Sequence, residues 1–189
     1  MSELVRTILS QNTSDTNSGR AFARLQGHFP TWEALLGADP LAIAEAIRVG
    51  GLARVKAPRI KAIAEEVWGR VGSFDLFFLA EMPLEEAKGW LRSLPGVGPK
   101  TAACVLLFAL GRPALPVDTH VYRVAKRLGL VPARVGAAEA HGLLEGMLAP
   151  DEVYPFHMSL IKHGRRICKA QRPLCHECVL AFDCPSALL

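Results

Sequence analysis

Five cysteines are unevenly placed in this 189-residue chain: Cys104 lies in an apolar run, while Cys168, Cys175, Cys178 and Cys184 crowd the C-terminus. The spacing Cys168-x6-Cys175-x2-Cys178-x5-Cys184 gathers four thiolates on a short loop. Such a set can hold zinc tetrahedrally or hold a [4Fe–4S] cluster. In a chain read as intracellular, a metal site is favoured over a disulfide framework. Cys104 reads as a buried apolar residue.

A second constellation is "SLPGVGPKTAACVLLFALGRPALPVDTH", residues 93–120. Gly96, Gly98 and Pro99 predict a tight turn opening a helix, with both glycines able to take positive φ. The amides of Gly96, Val97 and Gly98 then form a phosphate-binding helix N-terminus that ignores base sequence. Lys100 is out of place there, because a protonated amine is disfavoured at the positive end of a helix. The helix field and nearby cations favour the neutral amine, the form that attacks carbon and makes a Schiff base. Asp118 is the only carboxylate between Ala87 and Ala138. It reads as a helix N-cap, as a functional carboxylate, or as both. His120 reads as structural.

These residues need elements to hold them, and the apolar periodicity is helical nearly throughout. Helices are predicted over 2–10, through "DTNSGRAFARLQGHF", from Asp39-Pro40, over about 55–70, through "PLEEAKGWLRSL", from Asp118 to Gly129, and over 136–148 and 155–168. No alternating strand pattern appears, so the fold class is all-α. Gly111-Arg112-Pro113 is the expected passage between a lobe at 1–112 containing the hairpin and a lobe at 113–189 containing the cysteines.

The formal charge is only +4, but its distribution is informative. The charged residues of 87–138 are basic apart from Asp118, "KHGRRICKAQR" (162–172) holds five cations, and "RVKAPRIK" (54–61) holds four. Three such patches are read as the footprint of a polyanion. No apolar stretch reaches the roughly 20 residues that span a membrane. "MSELVRTILSQNTSD" lacks a signal-peptide pattern. The expectation is an intracellular, monomeric protein of the cytoplasm or nucleoid, with no membrane partner.

"LPGVGPKTA" followed by "VDTH", with Lys100 and Asp118 eighteen residues apart, resembles the helix-hairpin-helix DNA glycosylases, and endonuclease III most of all. The 6-2-5 cysteine spacing matches the endonuclease III cluster, so the resemblance implies [4Fe–4S] rather than zinc. It extends from about Leu4 to Pro185. It implies two helical lobes, double-stranded DNA bound across the cleft, and a damaged nucleotide flipped between them. Lys100 would attack C1′ and Asp118 would stabilise the cationic sugar. Lys169 and Arg172 would meet phosphates from a loop stiffened by the cluster. "GGLARVK" is similar to the loop whose leucine, here Leu52, wedges into the duplex. "LSQNTSD" is similar to the segment that fills the vacated space, through Gln11 or Asn12. Relatives carry a further N-terminal segment joined to the cluster lobe, whereas here Met1 falls almost at the first helix.

The implied activity is base-excision repair by a bifunctional glycosylase and abasic-site (AP) lyase acting on oxidised pyrimidines. The alternatives are a glycosylase for thymine or uracil opposite guanine, and a non-catalytic DNA-binding module using the hairpin and a metal knuckle.

Overall fold

The computed structural model describes residues 1–187, which contain helices and turns and no strand among them. The chain divides into two compact units, Met1–Arg112 and Pro113–Leu189.

The first unit is organised on α1 (Ser2–Ser10), which packs against α2 (Asp15–His28), α4 (Ala53–Val71) and α6 (Pro99–Cys104). Its Leu4, Val5, Ile8 and Leu9 are fully buried. Each contributes about 1.5–3 kcal/mol of transfer free energy. α3 (Pro40–Ala46) is capped by Asp39, whose side chain accepts from the Leu41 N–H, and packs on α4. α5 (Leu84–Arg92) leads into the hairpin and α6 leaves it. The expected apolar helix beyond α6 is not uniform: Val105–Ala109 widen into a π turn, and Gly111, at φ +63°, ends the run. Arg112 closes the unit by donating through Nη1 to the carbonyls of Leu79 (3.2 Å), Ala80 (2.5 Å) and Met82 (2.9 Å).

The second unit contains α7 (Thr119–Arg127), α8 (Ala137–Glu145) and α9 (Val153–Arg166). α7 packs on both α8 and α9, with Val121, Val124 and Ala125 completely buried. After α9 the chain turns irregular and carries the four clustered cysteines.

Candidate nucleic-acid interface and metal centre

In the first unit the hairpin is anchored by two apolar side chains. Leu94 and Val97 are buried, and the Val97 N–H donates to the Leu94 carbonyl at 3.2 Å. Val97 therefore holds the turn together and its amide is already used. The Gly96 and Gly98 amides have no protein acceptor among the described residues. Only Gly96 is left-handed, at φ +72°, where a side chain would be strained. Gly98 sits at φ −92° as the N-cap of α6, so of the two glycines able to take positive φ only Gly96 does. Pro99 occupies the first helical turn and Lys100 follows it, half-buried.

The turn after α1 lies against this hairpin. Gln11 Oε1 accepts from Arg59 Nη1 at 3.0 Å, and Gln11 Nε2 donates to Thr101 Oγ1 at 3.5 Å. Asn12 is exposed at φ +53°. Leu52, which precedes α4, is 52% exposed at φ +51°. Asn12, Leu52 and Arg172 are the only non-glycine residues with positive φ among those described. All three were singled out from sequence as DNA-contacting. Left-handed backbone costs free energy and gathers where function requires a fixed presentation, most tellingly for a leucine.

Sequence reasoning missed Glu3. It lies on the first turn of α1, where burial raises its carboxyl above the ordinary carboxylate range. A hydrogen bond from Thr7 and the charges of Arg6 and Lys100 oppose that rise. Lys100 thus has a carboxylate in its electrostatic neighbourhood, although none is near it in sequence.

In the second unit Asp118 is the N-cap of α7, its Oδ1 accepting from the Val121 N–H at 2.8 Å. The bond uses one of the two carboxylate oxygens. The extended stretch before it is pinned from two helices. The Leu115 N–H donates to Glu145 Oε2 (2.7 Å), His141 Nδ1 bonds the Leu115 carbonyl (3.0 Å), and buried His157 bonds the Pro116 carbonyl through Nδ1 (2.8 Å). His120 Nδ1 meets Arg123 Nη2 at 3.1 Å, in keeping with a structural role.

The cysteine loop is held by α7. Arg123 donates to the carbonyls of Cys168 (3.0 Å) and Gly164 (2.8 Å). Arg127 donates to the carbonyls of Lys169 (2.7 Å) and Ala170 (3.1 Å) and to Cys168 Sγ (3.3 Å). With these carbonyls drawn inward, the Lys169 and Arg172 side chains are exposed.

Cys168, Cys175, Cys178 and Cys184 line one pocket of about 400 Å³, its open mouth included, walled by Val124, Leu128, Ile167 and Leu174. All four are free thiols. Among the described residues no three His, Cys, Asp or Glu side chains come close enough to hold one metal ion. Four sulfurs around a shared apolar pocket, with the Arg127 cation beside one of them, fit a cluster bound by thiolates. His163, whose ring burial shifts towards the neutral form, stands 3.6 Å from Cys178 Sγ.

The sequence pattern of HhH-GPD superfamily base excision DNA repair proteins matches residues 5–150, and that of the iron–sulfur binding domain of endonuclease III matches residues 168–184. The fold and the site thus define a base-excision DNA repair enzyme. Endonuclease III of Thermotoga maritima is 40% identical over 185 residues, covering 96% of this chain and 80% of that protein. A putative DNA glycosylase of Arabidopsis thaliana is 43% identical over 163 residues, covering 86% of this chain and 55% of the relative. A solved structure of a trapped endonuclease III–DNA covalent intermediate superposes with a TM-score of 0.86 at 31% identity, covering 98% of this chain and 83% of that one. The chain belongs to the endonuclease III family of DNA glycosylases, and its C-terminal segment 168–184 is an iron–sulfur binding domain for a [4Fe–4S] cluster, which Cys168, Cys175, Cys178 and Cys184 are placed to hold. Held by those thiolates, the cluster would cross-link the loop on which Lys169 and Arg172 are exposed.

Proposed function

We propose that this protein removes oxidised pyrimidines from duplex DNA and then cleaves the strand at the resulting abasic site, acting as a monomer. The two units serve as the two lobes of the enzyme. Lys100 Nζ attacks C1′ of the extruded nucleotide as the C1′–N bond breaks, and the base departs with the bonding electrons and gains a proton. Ring opening gives a Schiff base, and loss of a C2′ proton expels the 3′ phosphate. Asp118, oriented by its N-cap bond, stabilises the cationic sugar and assists the proton transfers. Gly96 and Gly98 offer their amides to a phosphate, with Val97 anchoring the turn from within. Lys169 and Arg172 contact phosphates further along the strand.

Leu52 enters the duplex as the wedge. Of the two candidates for filling the vacated space, Asn12 takes that role. Gln11 is already engaged by Arg59 and Thr101, whereas Asn12 is exposed on a left-handed turn.

The observation that carries this reading is the half-buried lysine in the first turn of α6, directly after a hairpin with two unused amides. The test is borohydride trapping on a duplex with one abasic site. A covalent adduct is expected for the wild type and none for Lys100→Ala, with DNA affinity largely kept. An adduct in Lys100→Ala would overturn the assignment of the nucleophile. No adduct in a wild type that binds firmly would replace the lyase with a monofunctional mismatch glycosylase.

A further inference from the structure

Lys56 is 2% exposed and among the largest fully buried side chains of the protein. Its partners among the described residues are both main-chain carbonyls, those of Leu9 at 2.8 Å and Gly50 at 3.0 Å. Burial pushes its amine below the ordinary lysine range. A buried ammonium without a carboxylate is costly, and an apolar side chain of similar volume is often no worse for stability. Fold stability alone is therefore a weak reason for a lysine here.

The two carbonyls have a common property. Leu9 lies in the last turn of α1, and Gly50 ends the short 3₁₀ turn Arg48–Gly50. Both are C-terminal helix ends, where aligned carbonyls attract a cation. Three positions on from Leu9 comes the left-handed turn at Asn12, and two positions on from Gly50 the left-handed Leu52. Gly50 also approaches α2 closely, since a Cβ there would come 2.9 Å from that of Ala21. One turn further along α4, Arg59 holds Gln11 and crosses over Gly96 of the hairpin.

We propose that Lys56 is a positioning residue for base extrusion: by binding the Leu9 and Gly50 carbonyls together it fixes the separation of the Asn12 and Leu52 turns, so that gap-filler and wedge enter the duplex as one rigid unit. This rests on the reading that Asn12 and Leu52 penetrate the duplex. The lysine touches neither DNA nor the reacting sugar. Its influence falls on the extrusion step and not on the chemistry at C1′.

The test compares single-turnover excision of thymine glycol from a duplex with lyase cleavage of a preformed abasic site. A 2-aminopurine beside the lesion reports unstacking by its fluorescence. Lys56→Met keeps the chain length and removes the donors. It is expected to slow excision about tenfold and to weaken the fluorescence rise, as misplacement of a positioning group does. Lyase cleavage is expected to change less than about threefold, because an abasic site has no base left to unstack. In an Asn12→Ala, Leu52→Ala background the same substitution should add less than about twofold, since residues acting through one another are not additive.

An equal slowing in both backgrounds, or an equal loss of excision and lyase activity, would show that Lys56 acts only through the fold and would overturn the proposal. If Lys56→Met does not fold, Lys56→Gln is read by the same two ratios. The underlying reading fails separately: Asn12→Ala, Leu52→Ala would then leave both excision and fluorescence unchanged.

Discussion

Two segments dense in cations are put to opposite uses. In 54–61, Lys56 is buried on two carbonyls, Lys61 donates to the carbonyls of Leu36 and Ala38, and Arg59 holds Gln11. Only Arg54 of its four cations is exposed. In 162–172 all five cations, Lys162, Arg165, Arg166, Lys169 and Arg172, are exposed. The expectation that 54–61 is a polyanion patch is therefore corrected: most of its charge is internal bracing. The same holds within 87–138, where Arg112, Arg123 and Arg127 are spent on backbone carbonyls. Cation density in a sequence reports long, multivalent donors. Loop carbonyls and phosphates compete for those donors, and the fold decides which of them is closer.

The contrast can be broken first where the charge faces out. Lys169→Ala with Arg172→Ala should reduce the salt dependence of binding to undamaged duplex by about 2 on a log–log plot, about 1 per phosphate contact. The fall in affinity should be the same for every sequence, and fluorescence anisotropy across a salt titration measures it. Melting should be little changed, because exposed substitutions usually stay within about 0.5 kcal/mol. Lys61→Met should do the reverse. It leaves two carbonyls without their donor and should lower stability by about 1–3 kcal/mol in urea unfolding, with the salt slope unchanged. A shallower salt slope in that variant would return the segment to the DNA.

The smallest effect sharpens the electrostatics around Lys100. Burial raises the Glu3 carboxyl above 4.5, so the folded state prefers it protonated. That preference favours folding below pH 4.5 and is lost as pH rises through the raised value. Glu3→Gln should therefore melt about 1–2 °C higher near pH 7.5, with the gain vanishing towards pH 4. A gain that persists unchanged in acid would place its origin in packing and not in ionisation.

Much of the local structure was legible because its causes are short-range. The caps at Asp39 and Asp118 are bonds spanning two or three residues, and the helices follow their apolar spacing. Asn12 and Leu52 could be named as candidates, but not the left-handed backbone that presents them. Which hairpin glycine uses its freedom was hidden for a related reason: a glycine permits positive φ without requiring it, and at Gly98 an N-cap needs extended geometry. Glu3 stayed invisible because it is 97 positions from Lys100 in the chain.

By itself, then, the sequence determined the all-helical class, the hairpin, the capped Asp118 helix and the four-thiolate loop, each set by residue type over a few positions. The tertiary structure alone decided which cations bind the protein's own carbonyls and which stay exposed. Of the two carbonyls that claim Lys56, the Leu9 one is 47 residues away, and those that claim Arg127 are 42 and 43 away. A charged side chain goes to the acceptor that packing brings within reach, and only the folded chain supplies that distance.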